Sequence, residues 1–204
     1  MLHTDPTFAE AVSEAVTEIE QHTDVELVVV AARRSSDYRL VPLLASAVVT
    51  WVALGFMLFE PYPLSETTVW LDTFLVFVVC GWLCSRDMLL DPMLGMLPAY
   101  TRSTVRAAAQ RAFIEEAVHA TPRRTGLLIY VSAVEGHIEV LYDLGVEGSI
   151  PHGHLDPAID ALTARDVPAF LTSLRALGDV LATYMPARDD SDGIGLPNAP
   201  RVRR

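Results

Sequence analysis

The chain has 204 residues, of which 51% are hydrophobic and 20% are charged, and its formal net charge at pH 7 is −11. This length suits one domain, the apolar content excludes a disordered chain and favours membrane contact, and the acidic charge argues against nucleic-acid binding. All 15 basic residues are arginines and there are two cysteines, which excludes lysine Schiff-base chemistry and a disulfide framework.

The first predicted elements are a helix and a buried strand. Residues 5–22 have the pattern of an amphipathic helix, in which Asp5 is the predicted cap and Pro6 lies in the first turn. One face of this helix is apolar and contains Phe8, Val12, Val16 and Ile19. Residues 25–32 are almost entirely apolar and rich in valine, which predicts a strand covered on both faces.

Two apolar stretches are predicted to cross a membrane. Residues 40–59 contain no charge, and a helix of this length is about 30 Å long, which is the thickness of the hydrocarbon core. Residues 69–85 form a second, shorter predicted span with Asp72 near its start. Between them, residues 60–68 are predicted to be an exposed extracytoplasmic turn, and residues 86–100 a membrane-proximal connector.

The positions of the arginines predict the orientation of the two spans. No arginine lies between residues 40 and 85, whereas arginines precede the first span and follow the second. The positive-inside rule therefore predicts that both termini are cytoplasmic. The N-terminal sequence lacks the basic and apolar regions of a signal peptide, so the first span is expected to direct insertion.

The second half of the chain predicts a helix, a hairpin and two further helices. The first of these helices covers residues 101–120, and Thr121 and Pro122 end it. The hairpin pairs a buried strand at 126–134 with a half-buried strand at 137–144.

The two later helices begin at Asp156 and Asp166. After them, residues 187–204 are polar and rich in proline and glycine, which predicts a disordered tail.

Burial requirements predict how these pieces assemble. The first helix and strand cannot bury their apolar faces alone, so residues 25–32 are expected to lie beside strand 126–134. Both soluble pieces must then lie on one side of the membrane, which requires an even number of spans. The predicted fold class is α/β: a three-layer helix–sheet–helix sandwich with a mixed sheet, interrupted by a two-helix transmembrane hairpin. Its discontinuous domain comprises residues 1–39 and 101–186.

The G-V-E-G segment after the hairpin contains the first candidate site. Glu147 lies between two glycines, which allow the backbone to approach a ligand closely. Asp143 ends the preceding strand, and the two carboxylates together offer oxygen ligands to Mg²⁺ or Ca²⁺. The alternative is a structural turn in which Glu147 is a cap and Asp143 is an exposed edge acid.

A second candidate is the H-x-H pair of His152 and His154. Imidazoles at this spacing bind zinc or another transition metal when a third ligand is present, and His119 or His137 would have to supply it. The alternative is a loop with two exposed histidines. The sequence contains no G-x-S-x-G element and no nucleotide-binding fingerprint.

Two segments resemble the TPM-domain family. HTDVELVVVAARRSSDY at residues 22–38 is similar to the family's opening, in which T-x-x-E-[LI]-x-V-V-V is followed by an R-S-x-x-Y turn. Residues 124–151 are similar to the family's hairpin and its G-x-E-G turn. The chain most resembles the branch of bacterial TPM membrane proteins that carry a transmembrane hairpin inside the domain.

The resemblance implies several properties. Familiar family members are exported proteins of the thylakoid lumen and the bacterial envelope, with assigned roles in acid-phosphatase activity, photosystem repair or receptor modulation, and divalent metal binding is reported for the fold. The absence of signal-peptide features and the inferred cytoplasmic face of this chain depart from that pattern. The expected location is the bacterial inner membrane, with the bilayer as a partner.

Two functional hypotheses follow. In the first, the cytoplasmic domain is a binding or assembly module for a membrane-protein partner or for a second copy of the chain. In the second, which the family resemblance alone implies, the protein is a metal-dependent phosphatase of low specificity. Asp143 and Glu147 would then hold the ion, and a bound water would attack phosphorus.

Overall fold

A mixed four-stranded sheet organises the larger of the two units into which the chain divides. The computed structural model describes residues 7–35, 40–59, 65–84, 98–188 and 200–203. One unit comprises Met1–Ser35 together with Arg102–Arg204, and the other comprises Ser36–Thr101.

Seven α-helices and four strands occur in the described part of the chain. The helices are α1 (Phe8–Glu20), α2 (Leu40–Phe59), α3 (Glu66–Cys84), α4 (Pro98–Glu115), α5 (Leu144–Ser149), α6 (Asp156–Asp160) and α7 (Val167–Tyr184), with a 3-10 turn at Val118–Ala120. The strands are β1 (Glu26–Ala32), β2 (Gly126–Ser132), β3 (His137–Tyr142) and β4 (Arg201–Arg203).

The sheet has the order β3-β2-β1-β4 and confirms the predicted α/β class with mixed pairing. Strands β1 and β2 are parallel, with Glu26 opposite Gly126 and Ala32 opposite Ser132. Strand β3 runs antiparallel to β2, as the hairpin pattern predicted. The predicted pairing of the strand before the apolar stretches with the strand after them is therefore confirmed.

Each face of the sheet has its own apolar core. On one face, alternate residues of β1 and β2 pack against α1, α7 and the α5–α6 region, and Phe8 contacts Phe170 with ring centroids 5.9 Å apart. The predicted apolar face of α1 is buried as expected. On the other face, Val28, Val30 and Tyr130 pack against the buried alanines of α4. Because both faces are covered, β1 and β2 need apolar side chains on both sides.

Several predicted element ends differ from the structure. Strand β2 ends at Ser132 and β3 at Tyr142, two residues earlier than predicted in each case. Helix α4 ends at Glu115, because Ala117 adopts a left-handed conformation with φ 55° and the chain continues as a 3-10 turn. Helix α1 begins at Phe8 with Thr7 in the N-cap position. The predicted cap Asp5, and Pro6 of the predicted first turn, lie outside the described residues.

The smaller unit contains helices α2 and α3, which pack against each other. Helix α2 has the predicted bounds, whereas α3 begins three residues earlier than predicted. A Cβ added to Gly81 would lie 3.7 Å from the Ser46 hydroxyl, so small residues allow a close contact between the two helices. Most of the predicted turn, residue 85 of the second predicted span and residues 86–97 of the predicted connector lie outside the described residues.

The prediction of a disordered tail is wrong at its C-terminal end. Residues 201–203 form β4, which extends the sheet by pairing in parallel with Val30–Ala32. Backbone and side chain both hold it, since Arg201 Nε donates to Glu116 Oε2 at 2.9 Å. The pairing partner is the edge of β1, so local sequence composition does not predict this strand. Residues 189–199 of the predicted tail lie outside the described residues.

Candidate functional site

A depression of about 230 Å³ lies at the end of β3 and combines residues from three successive elements. Its polar lining is Tyr142 from β3, Glu147 from α5, His152 from the following loop and Asp156 from the start of α6. Val146 and Ile150 form part of its apolar floor and are buried. The structure therefore brings Glu147 and His152, which belonged to separate predictions, to one surface feature.

Asp143 caps the start of the short helix α5, on which Glu147 lies. It is the N-cap residue, and its Oδ1 accepts a hydrogen bond from the Leu144 amide at 2.8 Å. The G-x-E-G segment was predicted to be a turn and is instead helical, because this cap starts a helix at Leu144.

Both carboxylate oxygens of Asp143 are engaged. Arg124 Nε donates to Oδ2 at 3.0 Å and Arg124 Nη2 lies 2.8 Å from Oδ1, which is a bidentate pair. The Asp143 side chain is only 4% exposed, so its charge is offset inside the domain by this arginine.

The Asp143–Glu147 cation site stays a prediction. The contacts of Asp143 show which group a cation would have to displace there. A cation that binds Asp143 has to displace Arg124, whereas the Glu147 side chain is exposed and accessible from the depression. The alternative interpretation of Asp143 as an exposed edge acid is wrong, because Asp143 is buried.

The two histidines of the H-x-H pair have different surroundings. His152 lines the depression. His154 instead stacks on Tyr184 near the end of α7, with ring centroids 5.6 Å apart, and its Nδ1 lies 3.3 Å from the tyrosine hydroxyl. Gly153 between them has φ +82°, a conformation that favours glycine and turns the two rings onto different surfaces.

The proposed third ligands, His119 and His137, contact other groups. The ring of His119 lies 6.4 Å from that of Phe113, and His137 Nε2 lies 3.4 Å from Glu139 Oε2. Within the described ranges, no three side chains of the histidine, cysteine or acidic type are grouped as a metal site. The zinc prediction for His152 and His154 therefore gains no third ligand from this part of the chain.

A second polar cluster lies where β1 and β2 end, and sequence reasoning missed it. The hydroxyl of Ser35 donates to that of Ser132 at 2.7 Å, Ser132 donates to a carboxylate oxygen of Glu135, and the Ser35 amide donates to the other oxygen at 2.9 Å. Ser132 is fully buried. A lone serine at the end of an otherwise apolar strand was the available signal. The cluster satisfies buried polar groups and joins the chain leaving β1 to the β2–β3 turn.

The fold defines this chain as an α/β protein with a mixed sheet between helical layers. A solved structure with a similar fold is the NMR structure of BA42 protein from the psychrophilic bacteria Bizionia argentinensis sp. nov., at a TM-score of 0.53 and 14% identity. The similarity covers 95% of this chain and 91% of that chain. The sequence matches no protein-family model and no curated protein. At this identity the likeness supports the fold alone, so the TPM resemblance stays a prediction.

Proposed function

We propose that this protein is an integral membrane protein of the TPM type, whose α/β domain is a binding or assembly module on the cytoplasmic side of the bacterial inner membrane. The observation that carries this proposal is the surface of the helical pair α2–α3. Large apolar side chains point outward along both helices, and Trp51, Phe56 and Trp70 are 80%, 74% and 78% exposed. Such a surface is stable in a hydrocarbon environment and costly in water.

The lengths of helices α2 and α3 support the same proposal. The segment Glu66–Leu83 of α3 is long and apolar enough to cross a membrane, and none of it is buried. The apolar segment Leu43–Phe59 of α2 is shorter, although the whole helix Leu40–Phe59 has 20 residues. A helix of that length rises about 30 Å, so both helices have the length of a span.

The sheet constrains the number of spans. Strand β1 precedes α2, strand β2 follows α3, and the two strands pair directly along their whole length. A single crossing would put these strands on opposite sides of the membrane, where they could not pair. Helices α2 and α3 therefore cross together or not at all, and the arginine distribution favours cytoplasmic termini.

We place the binding activity in the depression beside α5. Among the described residues, its lining comprises two carboxylates, an imidazole and a phenol together with apolar groups, and no arginine. Its volume is below the range of about 300–1,000 Å³ typical of small-molecule pockets and suits one side chain or a small ion. The ligand class that complements this lining is a cationic group, such as an arginine or lysine side chain of a partner protein.

We do not extend the proposal to the phosphatase alternative. A phosphate ester is itself negatively charged, and the carboxylates of the depression disfavour its approach unless a cation is already bound. Hydrolysis of p-nitrophenyl phosphate by the purified protein with Mg²⁺, Mn²⁺ or Ca²⁺, abolished by EDTA, would revive the enzyme hypothesis.

Membrane integration is tested on the full chain expressed in bacteria. We expect the protein in the high-speed pellet, resistant to carbonate extraction and released by detergent. Reporter fusions at the N-terminus and the C-terminus should both report the cytoplasm. Recovery in the supernatant without detergent, or termini on opposite sides, would refute this part of the proposal.

Binding is tested by NMR titration of the full chain in detergent micelles with N-acetyl-arginine amide. Shifts should concentrate at the amides of residues 142–156, and the neutral isostere N-acetyl-citrulline amide should cause much smaller shifts. Glu147→Gln and Asp156→Asn should weaken binding, while Asp179→Asn on the exposed face of α7 serves as the control. Equal responses to the two ligands would contradict a cation-binding module.

A further inference from the structure

Strand β1 has an outer edge, which faces away from β2, and the C-terminal segment occupies only part of it. All of β1, Glu26–Ala32, pairs with β2, whereas β4 pairs only with the last three residues, Val30–Ala32. Within the described part of the chain, no strand pairs with the outer edge at residues 27–29. The edge is therefore longer than the strand that it carries.

The alternation of hydrogen bonds shows which backbone groups of β1 face the outer edge. The Glu26 amide donates toward β2, whereas the Leu27 amide donates on the other side to Glu20 Oε1, at 2.9 Å. Alternate amides of a strand face opposite neighbours, so those of Val29 and Ala31 also face the outer edge. The edge is closed by Glu20 at Leu27 and offers backbone groups to an added strand from Val29 onward.

The register of β4 determines which of its own amides bind β1. Val202 lies opposite Ala31 in parallel pairing. In a parallel ladder, Ala31 then donates to the carbonyl oxygen of Arg201 and accepts from the amide of Arg203. The Val202 amide points away from β1.

One acidic side chain favours a cationic strand on this edge. Arg201 Nε lies 2.9 Å from Glu116 Oε2, and the two side chains are only 28% and 17% exposed. Glu116 directly follows α4, the helix that covers this face of the sheet. A partly buried carboxylate favours an arginine over a neutral or acidic side chain at this position of the added strand.

Strand β4 is a short occupant of the outer edge. It has three residues, whereas strands in globular proteins usually have about five or six, and fewer residues make fewer ladder hydrogen bonds. Its attachment to the same chain compensates, because a short connection gives a tethered segment an effective concentration of about 1 mM. A separate strand that makes more hydrogen bonds can therefore replace it.

We propose that the outer edge of β1 is a strand-addition site for an extended, arginine-bearing segment of another protein, and that the C-terminal segment of this chain is its internal competitor. Main-chain hydrogen bonds supply the affinity in this mode of recognition, and side-chain positions such as the one facing Glu116 supply the specificity. The charge of Glu116 and the length of edge beyond β4 favour this occupant. The site is separate from the depression beside α5 and does not depend on membrane insertion.

The test uses the full chain in detergent micelles, a variant that lacks residues 201–204, and a fluorescein-labelled peptide with the sequence of residues 197–204. Fluorescence anisotropy should show binding to the truncated variant with a dissociation constant of about 0.1 mM. The full chain should bind about tenfold more weakly, because its own segment competes at about 1 mM. No binding to the truncated variant, or equal affinity for both proteins, would overturn the proposal.

A second peptide tests whether a foreign segment fits the edge. The sequence TVTRITV has no proline and carries one arginine in the register of Arg201. Because it also extends beside Val29, it should bind the truncated variant at least as tightly as the first peptide does. If only the chain's own sequence binds, the edge is not a site for a partner protein.

N-methylation of the first peptide distinguishes strand pairing from attraction between charges. A methyl group on the amide that corresponds to Arg203 removes a ladder donor and should weaken binding at least about tenfold. The same change at the Val202 amide, which faces away from β1, should have little effect. Equal losses at the two positions would contradict strand addition.

Replacing the arginine that corresponds to Arg201 with citrulline tests the role of Glu116. The loss of charge should weaken binding to the truncated variant about fivefold, which is typical of a partly exposed ion pair. Glu116→Gln should remove the difference between the two peptides, whereas Asp179→Asn on α7 should keep it. A difference that survives Glu116→Gln would refute the assigned charge preference.

Two further measurements cover aggregation and self-association. If the truncated variant aggregates, Arg203→Pro in the full-length chain replaces it, because proline lacks the amide that binds Ala31 and should release the segment. This variant should bind the first peptide more tightly than the full chain does, and unchanged affinity would count against the proposal. Light scattering identifies a second copy as the occupant: a full-chain dimer that dissociates on removal of residues 201–204 would overturn the assignment to another protein.

Discussion

Two glycines of one short motif have different roles at the residue scale. A Cβ on Gly145 would lie 2.5 Å from the carbonyl oxygen of Arg123 and 2.7 Å from that of Arg124. The backbone of α5 therefore approaches the loop before β2 too closely to leave room for a side chain. A Cβ on Gly148 would meet nothing within 4 Å. Only the first glycine is required by packing.

This difference predicts opposite effects of the same substitution. Gly145→Ala should destabilise the domain by roughly 2–4 kcal/mol, because backbone atoms cannot yield as a flexible side chain can. Gly148→Ala should be neutral or stabilise α5 by up to about 1 kcal/mol, since alanine is the better helix former. Hydrogen exchange at residues 126–150 measures both, and a loss of protection in Gly148→Ala comparable to that in Gly145→Ala would contradict the assignment.

The hydrogen bonds of the Asp143 carboxylate also depend on individual residues. The sequence marked this residue as a candidate ligand, but its oxygens are held by Arg124 and by the Leu144 amide. Arg124 reaches this position from a left-handed backbone conformation, with φ 57°, in the loop before β2. Sequence spacing does not predict that contact, because the two residues belong to different elements.

Among the helices and strands, β4 shows most clearly how a tertiary contact can create an element that its own sequence does not predict. Three residues are too few to form a stable strand alone, and arginines occupy two of the three positions. The free edge of β1 supplies the partner, and charged side chains on an edge strand discourage further pairing with other molecules. The C-terminal segment therefore protects an otherwise open edge.

Deletion of residues 201–204 should expose that edge. We expect faster hydrogen exchange at residues 30–32 and a greater tendency of the protein to aggregate, because unpaired strand edges associate. Arg201→Ala removes the ion pair with Glu116 but keeps the strand, and its effect should be smaller. If the deletion leaves exchange at residues 30–32 unchanged, the pairing of β4 with β1 contributes nothing to the sheet.

The whole molecule consists of two compact units encoded in an interleaved order. The sheet-containing unit is built from the two ends of the chain, and the helical pair lies between them in sequence. Its two central strands, β1 and β2, are separated by more than ninety residues and yet pair along their entire length. Such distant pairing makes folding slow, because a long loop must close before the sheet forms.

We predict that the sheet-containing unit can lose stability without a change in the helical pair. Leu127 is fully buried in the sheet, so Leu127→Ala should lower the stability of the α/β domain by about 2–5 kcal/mol. Tryptophan emission, which reports only on the helical pair, should change little during the resulting loss of hydrogen-exchange protection in β1 and β2.

Leu144→Ala is the matched control, because that leucine is 59% exposed and its truncation should change stability by less than about 0.5 kcal/mol. Simultaneous loss of tryptophan signal and of sheet protection in Leu127→Ala would show that the two units unfold together.

The order and type of the main elements could be predicted from the amino-acid sequence. Hydrophobic periodicity predicted α1, apolar runs predicted β1, β2 and α2, and an alternating strand directly after a buried one predicted the hairpin. These signals are local, because burial on one face or on both faces leaves a repeating pattern in the residues of the element itself. The neighbourhood of β1 and β2 also followed from the sequence, because neither half could cover its apolar faces without the other.

The contacts between polar groups could not be predicted from the sequence and became visible in the folded chain. The Arg124–Asp143 pair, the Ser35–Ser132–Glu135 cluster and the depression beside α5 join residues from separate elements, and strand β4 exists through a partner more than 160 residues away. The physical reason is that hydrogen bonds and ion pairs act over a few ångströms in space, and no local periodicity of the chain records them.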